Sequence, residues 1–324
     1  MNHSIRPAEM TALLTALLAV HWLQSTVQRT AYLSILLTGV LLAALCVLLS
    51  HVTPQRGLLT ICTVERKFRL FPLFAAAALL FLAADALRTA LNWLCTSLLP
   101  ETPRWAVWIF LLAALIPMCL HGTAAVPRMV KLLAPVFIAL FVLVMLLSGW
   151  GKWNVYRIFP LLGNGMEQIG LDAVSLLPAG VWLLLPMIDR AQLGKYSGWR
   201  ACISAAVLAA AGAVFCTLCV PPMALPVQLT HALGRVQAVF AFVWLPLLLA
   251  AASVGVGYAA RCVQVVFSAK KTSLVVCGLL ACTAVLSLLP EADWAYLLVL
   301  PLLIPMLWGR SQEKRLKKEA DGHV

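Results

Sequence analysis

The sequence predicts an all-α integral membrane protein with about ten transmembrane helices, and three observations support this class. Of the 324 residues, 63% are apolar and only 11% are charged, whereas soluble domains have about 45–50% apolar and about 25% charged residues. The apolar residues recur in runs of about 20, which is the length that a helix needs to cross a bilayer. The Lys and Arg residues concentrate in every second connection between these runs. Together these features exclude a water-soluble globule.

Ten apolar segments can be distinguished, and Pro, Gly or charged residues bound most of them. They cover residues 10–27, 31–50, 71–98, 105–121, 128–149, 171–188, 201–222, 236–260, 272–289 and 293–309. Polar residues dilute the first segment, and the eighth could extend further. Because ten segments with short connections use most of the chain, we expect a single transmembrane domain over residues 1–324. No cleavable signal peptide is evident, so we expect the first segment to direct insertion.

The distribution of basic residues predicts the topology. If the N-terminus is cytoplasmic, eighteen of the 24 Lys and Arg residues lie on inside segments and five lie on outside segments. The outside cations are Arg29, Arg104, Lys152, Arg157 and Arg235, and Arg88 lies within the third segment. One missed or extra span would invert the later connections and remove this positive-inside bias. We therefore predict cytoplasmic termini with a short basic tail over 310–324, and no nucleic-acid partner for the +12 charge.

The ten segments divide into two halves, 5–150 and 157–310. Five spans is an odd number, so a second copy of the first half would insert upside down. Inverted repeats of this kind are common in secondary transporters. The halves have no clear sequence identity, so this repeat is inferred from hydropathy and spacing alone.

The sixth segment contains the stretch Leu177-Pro178-Ala179-Gly180 near its middle. Pro removes a backbone donor and clashes with the preceding turn, and Gly adds conformational freedom. One interpretation is a broken helix whose half-ends bind a small zwitterion or ion, because free backbone groups persist at membrane depth only against protein, water or ligand. The other interpretation is a simple kink. The sequence favours neither.

Other polar residues lie inside apolar segments and carry two interpretations each. Asp85 and Arg88 share one face of the third segment, either as a mutually neutralised structural pair or as contacts to a substrate or proton. His21, Gln24 and Ser25 lie together at the end of the first segment, either at the outer interface or as a closure of a site.

Two further features of the sequence concern its function. Ser253 begins a run of small residues in the eighth segment that is typical of close helix packing but also suits a site. No Ser/His/Asp arrangement, metal-ligand spacing or phosphate-binding loop is recognisable in the sequence. The sequence therefore gives no support to an enzyme, to a metal site or to a cofactor.

Several stretches resemble the GerAB-type spore germination proteins of the amino acid–polyamine–organocation transporter superfamily. The run Trp153-Asn-Val-Tyr-Arg-Ile-Phe-Pro-Leu-Leu-Gly-Asn-Gly165 is similar to that family's "N-x-x-P-v-l-g-x-G" segment before its sixth span. Ile5-Arg-Pro-Ala-Glu9, Arg29-Thr-Ala-Tyr-Leu33 and Arg128-Met-Val-Lys-Leu-Leu-Ala-Pro135 resemble the openings of its first, second and fifth spans. The likeness follows the span order along nearly the whole chain. It differs in the sixth span, where the family often has an acidic residue after Gly and this chain has none.

The resemblance implies a LeuT-like fold of ten spans in a 5+5 inverted repeat, with a central site formed by spans one, three, six and eight. It implies recognition of an amino acid or similar small germinant, beside germinant-receptor A and C subunits, in the inner membrane of the endospore. On this hypothesis Leu177–Gly180 offers backbone groups, Asp85 and Arg88 shape the site, and His21 and Gln24 close it. An autonomous proton- or sodium-coupled amino acid transporter and a non-binding membrane scaffold remain the alternatives.

Overall fold

The computed structural model describes residues 5–24, 31–54, 56–121, 124–149, 165–188, 190–193, 198–218, 237–268, 271–289 and 293–321. Within these ranges every regular element is helical. The α-helices are α1 (Pro7–Gln24), α2 (Ala31–Val52), α3 (Leu58–Val64), α4 (Pro72–Trp93), α5 (Arg104–Leu120), α6 (Ala125–Gly149), α7 (Met166–Leu176), α8 (Leu184–Ile188), α9 (Arg190–Leu193), α10 (Gly198–Leu218), α11 (Gln237–Phe267), α12 (Thr272–Leu286) and α13 (Leu303–Asp321). Tighter 3-10 turns form Arg66–Phe68, Leu177–Leu183 and Asp293–Leu302, and a π-turn forms Leu94–Leu98.

Each of the ten predicted segments overlaps a helix or a run of helical turns. The largest differences lie at C-terminal ends: α11 continues to Phe267, and α13 carries the last segment on to Asp321. The extension of α13 is polar, but Glu, Lys and Arg are strong helix formers. Most of the predicted basic tail is therefore helical.

The composition of the longer helices marks the chain as a multi-pass membrane protein. Within the described ranges, five helices are long and apolar enough to cross a bilayer: Ala31–Val52, Arg66–Thr96, Ala125–Leu143, Gly198–Phe215 and Trp244–Phe267. The bent pair Met166–Leu176 and Gly180–Ile188 qualifies as a sixth, and Pro7–Leu23, Arg104–Leu120 and Thr272–Leu286 are shorter apolar helices. Large apolar side chains such as Val40, Phe110 and Leu132 point outward. A lipid environment explains that exposure, which water would oppose.

The main helix interfaces join the N-terminal half to the C-terminal half. Helix α4 packs along α11, α2 packs along α10, and α1 contacts the 3-10 segment Leu177–Leu183. These interfaces pair predicted segments three with eight, two with seven, and one with six. Other interfaces match in pairs. The α1–α10 interface matches the α2–α7 interface, the α5–α11 interface matches the α4–α12 interface, and the α6–α11 interface matches the contact of α4 with Asp293–Leu302. In each pair, replacing both segments of one interface by the segments five places away in the chain gives the other interface.

Glycines allow the two largest interfaces to close. A Cβ atom at Gly255 of α11 would lie 2.8 Å from the Leu79 carbonyl oxygen and 2.9 Å from the Cβ of Ala83, both on α4. A Cβ atom at Gly39 of α2 would collide with the Cβ of Ala206 on α10. Small residues at such contacts let helix backbones approach closely in membranes, where packing rather than the hydrophobic effect holds helices together.

Arginine side chains from neighbouring elements satisfy the open carbonyl ends of two helices. The guanidinium of Arg69 donates to the Val266 carbonyl oxygen at the end of α11, at 2.9 Å. The guanidinium of Arg190 donates to the carbonyl oxygen of Thr53 at 3.0 Å, just beyond the end of α2. Cations at helix C-termini also interact favourably with the helix dipole. Partial burial and the positive charge of Arg310 lower the pKa of Arg190, while Glu313 opposes that shift.

The packing of α2 on α10 can be tested with two native cysteines. The Sγ atoms of Cys46 and Cys202 lie 4.0 Å apart, and a disulfide bond of about 2.05 Å requires only a small side-chain movement. We expect iodine, a membrane-permeant two-electron oxidant, to link them. After cleavage in the connection between α6 and α7, the two fragments should then stay joined on a non-reducing gel.

The matched control is Cys62→Ser, which removes a buried thiol of α3 and should leave the link intact. Cys46→Ser should abolish it. Fragments that separate after oxidation of the unmodified chain would contradict the α2–α10 interface.

Candidate functional site

The sixth segment is discontinuous, as the broken-helix interpretation requires. Helix α7 ends at Leu176, a 3-10 segment follows over Leu177–Leu183, and α8 resumes at Leu184. The axes of the two helical parts, Met166–Leu176 and Gly180–Ile188, differ by 50°. Pro178 lacks the N–H group that would continue the α-helical hydrogen bonds, so the chain forms the tighter 3-10 turns at this point. We call the 3-10 segment the break.

Among the described residues outside the sixth segment, the main contacts of the break are with α1, α2, α4 and the turns of Asp293–Leu302. The indole Nε1 of Trp22, on α1, donates a hydrogen bond of 3.4 Å to the Leu176 carbonyl oxygen, one residue before the break. Trp22 is fully buried. A carbonyl group at the end of α7 thus receives a donor from another helix, which is how irregular backbone is tolerated at membrane depth.

Helix α2 supports the break on a second side. The Thr38 hydroxyl lies 3.0 Å from the Ala173 carbonyl oxygen on α7 and 2.7 Å from the Ser34 carbonyl oxygen on its own helix. A Cβ atom at Gly180 would lie 2.8 Å from a terminal methyl group of Leu42. Gly180 therefore does more than loosen the chain, since it leaves room for the side chain of Leu42.

The carboxyl group of Asp172 lies five residues before the break, and Asp172 is not among the site residues predicted from the sequence. Its Oδ1 atom accepts a hydrogen bond of 2.9 Å from Gln168 Nε2 on the same helix. Its Oδ2 atom is buried and has no hydrogen-bond partner among the described residues. An acidic residue inside an apolar segment was the signal that could have identified it, because such groups are costly in a bilayer.

The predicted residues of the first and sixth segments lie on elements in mutual contact. His21 is half-buried on α1, directly before Trp22. Gln24 is the last residue of α1, although the structure does not describe its side chain, and Ser25 falls outside the described residues. Leu177, Pro178, Ala179 and Gly180 belong to the break, where Leu177 and Pro178 are half-buried and the side chain of Ala179 is not described.

Asp85 and Arg88 of α4 form a pair whose described contacts are structural. Their side chains approach to 3.7 Å. The Arg88 guanidinium also donates to the carbonyl oxygens of Leu286 at 3.2 Å and Ser287 at 3.3 Å, at the end of α12. Arg88 thus caps a neighbouring helix, as Arg69 and Arg190 do. These contacts favour the structural interpretation of the pair over a ligand contact.

A substitution at Arg88 separates the two interpretations. Arg88→Gln should lower the unfolding temperature of the purified chain, because charge-assisted hydrogen bonds contribute about 1.5–3 kcal/mol each. Thermal unfolding of the purified chain in detergent measures this loss.

Asp85→Asn serves as the matched control, since it keeps the Arg88 donors on α12 and should cost less stability. An Arg88→Gln chain as stable as the unmodified chain would contradict the structural interpretation.

Among the described contacts, those of Ser253 belong to a packing interface and not to the break. It is 3% exposed, and its side chain lies near the Cys119 thiol of α5. With Gly255 packed on α4, the run of small residues in α11 serves close helix contact. Among the described residues, no three His, Cys, Asp or Glu side chains lie close enough together to hold a metal ion.

Several membrane-crossing helices, one of them discontinuous and held by its neighbours, define a multi-pass membrane protein. A family profile described as spore germination protein matches residues 14–221, more than half of the chain. The chain therefore belongs to the spore germination protein family, which confirms the resemblance read from the sequence. The matched range includes α2, α4, the break and α10. No curated protein matched the chain in the parallel comparison.

Proposed function

We propose that the protein is the integral-membrane subunit of a spore germinant receptor and that it senses a small, amino acid-like nutrient. The observation that carries the proposal is the break, which four neighbouring parts of the bundle contact in a chain of the spore germination family. Half-helix ends at such breaks supply oriented backbone groups for zwitterions, as in secondary transporters. The proposed location is the inner membrane of the endospore.

The proposed architecture is ten crossings in a 5+5 inverted repeat with both termini in the cytoplasm. The matching helix interfaces support the repeat, because a pseudo-two-fold relation between the halves would produce them. Reporter fusions test the topology: fusions at both termini should be active on the cytoplasmic side only. A terminus on the opposite side would overturn the architecture.

Nutrient binding would act on the contact between α1 and the break. A ligand that binds one arrangement of the break more tightly than another stabilises the first arrangement. The stabilisation equals the difference between the two binding free energies. The Trp22–Leu176 hydrogen bond couples α1 to that arrangement. The A and C subunits of the receptor would then respond to the change in the populations of these arrangements.

Deletion and complementation in the source spore former test the receptor role. Spores without this chain should lose the response to one class of nutrient and keep the response to others, and the restored gene should return it. Retention of all responses would refute the role.

The autonomous transporter is the second candidate, since the same fold and break suit alternating access. Purified chain in vesicles, without any other subunit, should take up no labelled amino acid if the protein only senses. Saturable uptake that depends on a proton or sodium gradient would favour the transporter.

A further inference from the structure

A groove with a volume of about 650 Å³ runs along α1 between α6 and α10, apart from the break. Small-molecule sites commonly have volumes of about 300–1,000 Å³, so the groove is large enough for a ligand. Its lining includes Thr15 on the α1 floor, Phe137 and Ile138 on α6, and Arg200, Ser204 and Leu208 on α10. We call this surface the α6–α10 groove.

The groove opens sideways into the hydrocarbon region. Ile138 is 45% exposed, and it lies thirteen residues beyond the first residue of α6, or about 20 Å along the helix axis. Ser204 on the opposite wall is also exposed. Such a surface, deep along two spanning helices, meets acyl chains rather than cytosol.

One end of the groove is cationic and the remainder is mostly apolar. Arg200 is exposed in the first turn of α10, and its guanidinium lies 5.5 Å from the ring centre of Trp199. No carboxylate lies within 4.0 Å of Arg200 among the described residues. Phe137, Leu208 and Leu247 line the deeper part. An exposed arginine with no carboxylate within 4.0 Å among the described residues, at the end of a mostly apolar channel, complements one anionic headgroup with an acyl chain attached.

We propose that the α6–α10 groove binds one anionic phospholipid of the surrounding membrane. The phosphate lies against Arg200, and an acyl chain lies along Phe137, Ile138 and Leu208. An anionic lipid gains about 1 kcal/mol from a single basic residue at the surface, which corresponds to about a fivefold preference over a zwitterionic lipid. The floor of the groove is α1, so a bound lipid would contact the same helix that contacts the break. The site does not depend on the identity of the nutrient.

Lipid titration of the full chain tests this site. Delipidated protein receives phosphatidylglycerol and phosphatidylcholine with identical acyl chains, and native mass spectrometry counts the lipids retained. We expect one phosphatidylglycerol per chain with about a fivefold preference over phosphatidylcholine. Arg200→Gln should remove the preference, while Arg66→Gln, an equal charge change at an exposed arginine outside the groove, should not alter it.

A second variant tests the acyl-chain part of the proposal. Ser204→Trp fills the groove from an exposed position and should reduce retention of both lipids without loss of folded protein. Free inorganic phosphate should not displace bound phosphatidylglycerol, because the headgroup alone lacks the acyl contact. An unchanged preference in Arg200→Gln, full retention in Ser204→Trp, displacement by phosphate or a dimer in place of the lipid would each overturn the proposal.

Discussion

Gly180→Leu is expected to abolish the nutrient response of spores while the protein remains inserted and abundant. The new side chain has no room, since even a Cβ atom at position 180 lies 2.8 Å from the Leu42 side chain. Overpacking of this kind typically costs about 1–3 kcal/mol, and here it pushes the break away from α2. Leu is favourable in a spanning helix, so insertion should not suffer. Dose–response curves for germination, normalised to receptor abundance on blots, measure the effect.

Gly180→Ala is the matched control. The single methyl group meets only the flexible end of Leu42, so the response should stay within about threefold of the unmodified chain. Adding Leu42→Ala to Gly180→Leu should restore part of the response, because it returns the lost volume. A normal response in Gly180→Leu would remove the break from the mechanism.

Trp22→Ala is expected to have the second-largest effect, namely loss of most folded receptor. Trp22 is fully buried, and truncation of a buried Trp costs about 3–5 kcal/mol. The change also removes the donor of the Leu176 carbonyl group at the end of α7. Receptor abundance in membranes and the unfolding temperature of the purified chain measure this loss.

Trp22→Phe weakens packing far less than Trp22→Ala, since it keeps a six-membered aromatic ring while removing the N–H donor and the smaller ring of the indole. We expect near-normal abundance and a rise of about two- to thirteenfold in the half-maximal nutrient concentration, which corresponds to a hydrogen bond of about 0.5–1.5 kcal/mol. If the nutrient sensitivity of Trp22→Phe matched that of the unmodified chain, the Trp22–Leu176 contact would play no part in coupling.

The sequence predicted the features that local residue patterns determine. Segment lengths followed from apolar runs. Pro178 and Gly180, which act on their own backbone, predicted an irregularity in the sixth segment but left a broken helix and a simple kink open. The extension of α13 was not predicted, because its charged residues lower the mean hydropathy by which a span is recognised. The same residues nevertheless favour a helix.

Contacts between distant residues were not predictable in the same way. Trp22 and Leu176 are 154 residues apart, and Arg88 caps carbonyl groups 198 and 199 residues away. Hydropathy carries no information about which helix meets which. From the sequence alone, the polar residues of α4 and α11 therefore carried both a structural and a site interpretation, and their contacts with α12 and α5 support the structural one.

Equilibrium binding of the triggering nutrient to the purified chain in nanodiscs decides whether the break is a nutrient site. We expect saturable binding to the unmodified chain and to Gly180→Ala, with affinity at least about tenfold weaker in Gly180→Leu, equivalent to about 1.4 kcal/mol. No binding by the unmodified chain, or equal affinity in Gly180→Leu, would contradict a nutrient site at the break.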